Sequence, residues 1–284
     1  MMDNTVLVTG ASGQLGREVV RALLADGFAV KAATRDASKV PPQQGVTPVT
    51  FDYTDPATFA AALEGATGLF LVAPPMDADA PAKLIPFIEK ARSAGIGHVV
   101  FNSALGMDQN EEAPLRIVER AVMDSGIPYT ILRPNFFMEN FSTGSISPMI
   151  REQNSIFLAA GDGKTSFIST RDIAAVAAAA LAGTHAGCEY NLTGPEALDH
   201  GQVARMISEA TGKQITYQAL PEMIMLQGAR NLGMPEPMVQ YMRGLYAAVR
   251  SGDAAVVTDD VKKITGRTPI TFDEFANDNA ECWG

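Results

Sequence analysis

Sulfur and imidazole are scarce in this sequence. Two cysteines, Cys188 and Cys282, and three histidines, His98, His185 and His200, are scattered over 284 residues. No CxxC and no paired histidine spacing occurs, so neither a metal site nor a disulfide framework is expected. Positive charge is also in deficit. Twenty-two Lys and Arg stand against 32 Asp and Glu, a formal net charge of -10. An acidic chain repels phosphate backbones and anionic lipid surfaces, which speaks against nucleic acid and membrane as partners. No apolar run approaches the roughly 20 residues that span a bilayer. The first residues carry no basic n-region and no apolar signal segment, so the cytoplasm is the expected location. Low-complexity tracts, internal repeats and a clear linker are lacking as well.

What the chain has is material for a core: 46% hydrophobic residues against 19% charged. Short apolar runs alternate with helical patterns from the start. Strands are expected at residues 5–8, 30–34, 47–51, 69–72, 98–102 and 129–133. Helices are expected at 15–25, 56–63, 80–94 and 112–125. The strands are rich in Val, Ile, Leu and Phe and do not alternate strictly, as suits a parallel sheet buried on both faces. Repeated βα alternation predicts a doubly wound α/β fold of Rossmann type. Past about residue 135 the rhythm loosens. A helix is expected at 170–181, a returning strand at 189–192, and helices at 202–211, 221–232 and 235–249. We therefore expect a dinucleotide-binding domain over residues 1–150 with returning segments near 165–195. Residues 196–284 are expected to form a smaller, mostly helical, interwoven part on the substrate side. A homo-oligomer is left open.

The strongest motif opens the chain. A buried strand runs into Gly10, Gly13 and Gly16, and a helix follows. Gly10 permits a tight turn, Gly13 lets backbone approach a pyrophosphate, and Gly16 lets the helix pack closely on the sheet. The new helix would point its first N–H groups, from Gln14 and Leu15 onward, at the phosphates. Thr9 and Ser12 offer hydroxyls. The next strand ends in Thr34-Arg35-Asp36. Arg35 presents a fork of donors suited to a 2′-phosphate, with Thr34 beside it, so NADP(H) is favoured. Asp36 could serve a ribose instead, which keeps NAD(H) open.

Further pieces point to a family. They are Phe51-Asp52-Tyr53, Leu69–Val72, the run Tyr129–Asn140, Thr170–Ala174, Tyr190–Gly194, Thr258–Val261 and Thr265–Arg267. Together with the glycine turn they resemble the atypical short-chain dehydrogenases of the NmrA-like group, among them triphenylmethane-dye and NAD(P)H:quinone reductases. The resemblance implies that Asp52 and Tyr53 lie near the adenine, and that Val72, Ala73 and Pro74 line the cofactor. It implies that Ser103 and Ala104 face the nicotinamide and that Pro134, Asn135, Phe136 and Phe137 close the site. The Tyr-x-x-x-Lys of typical short-chain dehydrogenases is absent: Glu111 and Leu115 fall at those positions. A hydride acceptor that needs no such pair is then expected, namely an apolar conjugated molecule such as a quinone, a dye or an activated double bond. No catalytic residue is assigned; Glu111 is one option for an acid, against a plain solvated helix start. Ser103, Asn135, Phe136, Phe137, Phe167 and Tyr241, with Met138 and Phe141, are expected at the substrate. Met223, Met225, Met234, Met238 and Met242 would cover it, since methionine adapts to varied ligands. The group also includes non-catalytic regulators that sense NADP(H) and bind a protein partner, which is the alternative reading.

Overall fold

A computed structural model of the chain describes residues 4–183 and 185–284. In chain order the elements are β1 (Thr5–Val8), α1 (Gln14–Ala25), β2 (Ala29–Thr34), β3 (Val46–Thr50), α2 (Phe59–Leu63), β4 (Gly68–Val72), α3 (Ala80–Ser93), β5 (His98–Asn102), α4 (Pro114–Asp124) and β6 (Tyr129–Pro134). Then come α5 (Glu139–Ser142), α6 (Ser147–Gln153), β7 (Ser155–Leu158), α7 (Thr170–Ala182), β8 (Cys188–Leu192), α8 (His200–Thr211) and β9 (Thr216–Ala219). The chain closes with α9 (Glu222–Asn231), α10 (Glu236–Ser251), α11 (Asp260–Thr265) and α12 (Phe272–Asp278).

Seven strands make one sheet in the order β3-β2-β1-β4-β5-β6-β8, and every pairing whose register is described in it is parallel. The order reverses between β1 and β4, which is where ligands lodge in doubly wound sheets. Side chains alternate faces along a strand. Leu7, Leu69, Leu71, Phe101 and Ile131 accordingly share a core with Leu84, Phe87 and Ile88 of α3 and Val118 and Val122 of α4. Val8, Phe70, Val100 and Leu132 turn the other way and are as fully buried. Helices α1 and α7 pack on each other, as do α3 and α4. The doubly wound Rossmann-type expectation therefore holds.

Two compact units divide the chain. The first takes in the described residues through Pro134, together with Thr170–Asn191 and Lys263–Gly266. The second comprises Asn135–Ser169, Leu192–Lys262 and Arg267–Gly284. The break falls at Pro134 rather than near residue 150. The reason is packing: Met138, Phe141, Ile146, Ile150, Ile156 and Leu158 join a separate core with Phe167, Phe272, Phe275 and Trp283. That second unit contains a small parallel sheet of β7 and β9, which sequence patterning did not suggest. Both strands are four residues long, too short to show a period. Local chemistry moved two expected helix starts. Asp55 caps a 3-10 turn at Pro56–Thr58, so α2 begins only at Phe59. Pro114 fixes the first turn of α4 and holds Ala113 extended, which leaves Glu111 and Glu112 outside the helix. Among the described residues no helix is long and apolar enough to cross a membrane.

Candidate functional site

In the first unit the expected site residues gather at the carboxyl ends of β1 to β6. Gly10 has a φ of 63°, and a Cβ there would come within 2.9 Å of Val72 Cγ1. A Cβ on Gly16 would lie 2.1 Å from the Gly10 carbonyl oxygen, so α1 sits against its own entry turn as only glycine permits. The Gly13 N–H donates to the Gly10 carbonyl at 2.9 Å. No side chain caps the start of α1, whose N-cap is Gly13. A 12-residue helix begun in this way presents a positive dipole end to an anion.

Thr9 departs from expectation. Its hydroxyl donates to the Phe70 carbonyl at 3.2 Å and accepts from Val72 N–H at 3.0 Å, and the residue is fully buried. Thr9 thus ties β1 to β4 and has no hydroxyl to offer a phosphate. Ser12 stands 3.3 Å, Oγ to Oγ1, from Thr34, which joins the glycine turn to the end of β2. Arg35 beyond it is exposed. Asp36 is engaged locally: its Oδ1 accepts from Ser38 N–H and Oγ at 3.1 and 2.6 Å, and these bonds hold its carboxyl below the usual range. Asp36 therefore caps a turn, whereas Arg35 remains open to a ligand.

At the end of β3, Asp52 Oδ1 accepts from Thr54 N–H and Oγ1, both at 2.8 Å, and those bonds lower its carboxyl, helped by the charges of Arg35 and Lys83. Tyr53 lies edge-on to Phe51, with centroids 4.7 Å apart, and its hydroxyl donates to the Val72 carbonyl at 2.8 Å. Burial pushes this phenol well above its ordinary value. Val72, Ala73 and Pro74 are half-buried just beyond β4. Ser103 is buried past β5, with its N–H on the Leu132 carbonyl, and Leu105 N–H meets the Pro134 carbonyl. Sequence reasoning passed over Asn102. It is buried at the last position of β5, and its Oδ1 has no hydrogen-bond partner. An amide at a buried strand end, beside Ser103, was the available signal. A buried polar atom without a partner is costly unless a ligand or water completes it.

Glu111 is not an acid. Hydrogen bonds from Arg120 and Arg116 hold its carboxyl at about 2, so it stays ionised. Arg116 continues into a buried ionic knot. Its Nη1 donates to Glu119 Oε2 at 2.8 Å, and Arg133 of β6 donates to both Glu119 oxygens at 2.9 and 2.8 Å. Burial raises the Glu119 carboxyl, but hydrogen bonding to the Arg133 guanidinium, then to the Ser103 hydroxyl and the Arg116 guanidinium, outweighs it and holds the group below its usual range. Arg133 also pairs with Glu189 of β8.

The second unit separates the expected substrate residues into two sets. Phe167, Phe141 and Met138 are core: Phe167 packs edge-on to Phe141 at 5.2 Å, and none of the three is more than 2% exposed. Met225 is also buried, with its sulfur accepting from Ala159 N–H. These side chains fill the fold, so they do not line an open pocket. Asn135 is likewise consumed, because its Nδ2 donates to Ser166 Oγ at 2.7 Å and to the Ala254 carbonyl at 2.8 Å. Phe136, Phe137, Met234, Met238, Tyr241 and Met242 remain half-exposed, and Met223 is 77% exposed. Phe136 packs on Tyr246 of α10 at 6.4 Å. Among the described residues no group of three or more His, Cys, Asp or Glu side chains is placed to hold a metal ion.

A model of the NmrA-like family matches residues 2–276. An NAD(P)H azoreductase of Xenophilus azovorans is 35% identical over 288 residues, covering 98% of this chain and 99% of its own. Among solved structures, a triphenylmethane reductase of Citrobacter sp. superposes with a TM-score of 0.84 at 26% identity, covering 98% of this chain and 99% of that one. An NADPH-dependent quinone oxidoreductase of Escherichia coli, solved with NADPH, gives a TM-score of 0.83 at 28% identity, covering 96% and 98%.

Proposed function

The chain belongs to the NmrA-like family, and from that premise we propose that it is an NADPH-dependent reductase acting on an apolar, conjugated acceptor. The observation that carries the reading is the turn from Gly10 to Gly16, which leads into a helix with no side-chain cap and whose Ser12 meets Thr34, the residue before an exposed Arg35. The relatives named for azo, triphenylmethane and quinone chemistry support the acceptor class, since all three are conjugated systems.

NADPH, when bound, supplies the hydride. Backbone N–H groups of Gln14 and Leu15 and the Ser12 hydroxyl would hold its pyrophosphate, with Gly13 letting the chain come close. Arg35 and Thr34 take the 2′-phosphate. Asp52 and Tyr53 flank the adenine, while Val72, Ala73 and Pro74, with Ser103 and Pro134, complete the cofactor's surroundings. Phe136, Phe137 and Tyr241 bind the acceptor through apolar surface. Glu111 stays charged beside its arginines and gives up no proton, so an acceptor that takes its proton from water suits this chain.

The test is NADPH and NADH consumption against quinones, triphenylmethane dyes and azo dyes. Turnover with NADPH and at least one of these is expected. Tight NADPH binding without any turnover would overturn the reductase reading in favour of a sensor that binds a protein partner.

A further inference from the structure

Three segments of the second unit meet at a buried polar clamp. Residues 135–138 run parallel to 166–168: Ile168 N–H donates to the Phe136 carbonyl at 3.0 Å, and Met138 N–H donates to the Ile168 carbonyl at 2.9 Å. The third segment, residues 254–257, is tied to both. Asn135 gives its two amide hydrogens to Ser166 Oγ and to the Ala254 carbonyl. Ser166 N–H also meets the Ala254 carbonyl, at 3.0 Å, and Ser166 Oγ donates its one hydrogen to the Val256 carbonyl at 2.6 Å. The direction of the chain is therefore fixed, from Asn135 to Ser166 to Val256, because a serine hydroxyl has one proton to give. Thr193 Oγ1 anchors the segment's far end by accepting from Thr258 N–H at 2.9 Å.

Asn135 and Ser166 are buried, yet two of the segments they tie together carry apolar side chains that are only partly covered. Phe136 and Phe137 are half-exposed, and Val256 and Val257 are 49% and 47% exposed. Their hydrogen bonds offset the cost of that burial and give the apolar side chains a fixed backbone, which is what a preorganised binding wall requires.

We propose that Asn135 and Ser166 are positioning residues for the acceptor, and that the segment they lock, with Val256 and Val257, belongs to the acceptor-binding wall together with Phe136 and Phe137. The inference rests on the reductase reading. The acceptor class it favours is flat and apolar, since Phe136, Phe137, Val256 and Val257 all offer carbon surface.

Steady-state kinetics with an apolar quinone at saturating NADPH tests it in three variants. Ser166→Ala removes the acceptor for Asn135 and the donor to Val256. It is expected to raise KM for the quinone about tenfold, with kcat and the NADPH Kd within about threefold of wild type. Thr271→Ala, which breaks the capping box of α12 in the same unit, should lower Tm without moving KM. The double variant Val256→Ser with Val257→Ser leaves the clamp intact and should still raise KM about threefold or more. An unchanged KM in Ser166→Ala and in the double valine variant overturns the proposal, as does an equal KM rise in Thr271→Ala. A wild type that reduces nothing defeats the reductase reading separately. In that case the same variants are compared by the absorbance shift of bound triphenylmethane dye, where affinity equal to wild type overturns the clamp.

Discussion

In the first unit, holding the fold and meeting a ligand fall to different residues; in the second, the same residues are asked to do both. Around α4 and β6, Arg116, Glu119 and Arg133 are buried and fully paired. At the strand ends of the same sheet, Arg35 is exposed and Asn102 keeps an oxygen without a partner. Asn135 and Ser166 of the second unit instead lie inside a hydrogen-bonded clamp that holds the segments bearing Phe136, Phe137, Val256 and Val257. The contrast teaches that a change in the first unit should alter either stability or cofactor affinity, whereas one at the clamp should alter both stability and acceptor binding.

The largest expected effect is on stability alone. Glu119→Ala leaves two arginines buried without their shared anion, and breaking a buried pair costs about 3–5 kcal/mol. Thermal or urea unfolding measures this. At a temperature where the variant is folded, its NADPH affinity should match wild type; a large loss of affinity would break the proposed separation of tasks. Next comes a loss of binding alone. Gly13 is exposed and extended, and a Cβ there would approach only the Gly10 carbonyl, at 3.2 Å. Gly13→Val should therefore fold with a small change in Tm, yet its side chain would cover the turn where the pyrophosphate is to lie. A loss of about 100-fold in NADPH affinity is expected, which is roughly 2.7 kcal/mol. Calorimetric titration checks it. Smaller again is Arg35→Ala, which removes charge-assisted hydrogen bonds worth about 1.5–3 kcal/mol. NADPH affinity should fall at least about tenfold while NADH affinity and Tm stay put. Equal NADPH affinity in both proteins would remove Arg35 from the 2′-phosphate.

The same contrast explains how much could be read from the sequence. Gly10, Gly13 and Gly16 act through backbone, so their spacing alone located the turn, and β1, β5 and α1 appeared within a residue of where patterning put them. Arg35's place, exposed just past the end of β2, was legible because strand and motif mark it. Thr9 and Asp36 were not, because their partners Phe70, Val72 and Ser38 are decided by register and turn geometry. The second unit was harder for a related reason. Phe167, Phe141 and Met138 look the same in sequence whether they fill a core or line a pocket, and only burial separates the cases. Asn135 was read as a ligand contact from its place after β6. Its true partners, Ser166 and Ala254, lie 31 and 119 residues away, beyond any local pattern. Glu111 was kept from acid chemistry by Arg120, nine residues on, once Pro114 had set where α4 begins.

The smallest expected effect tests whether the second unit's core tolerates polarity only where it is satisfied. His200 is 2% exposed, lies 5.5 Å from Phe167, 6.0 Å from Phe141 and 5.4 Å from Tyr217 by ring centroids, and its Nδ1 has no hydrogen-bond partner. Burial drives its value from 6.5 down to about 4, and the nearby Asp199 charge only partly opposes this. The native state therefore holds the neutral ring. As pH falls below 6.5 the unfolded chain binds a proton that the folded chain refuses, so the stabilisation is complete above that pH. It is lost progressively down to about 4. Between pH 6.5 and 5.5 the loss amounts to about 1 kcal/mol. His98 in the first unit, lowered first by burial, contributes with the same sign, so the informative quantity is a difference. His200→Leu should flatten the fall of Tm over that interval relative to wild type while leaving NADPH affinity unchanged. An unaltered slope would mean that the ring gains a partner or a proton at no cost, and that the aromatic core around it is more open to water than its burial indicates.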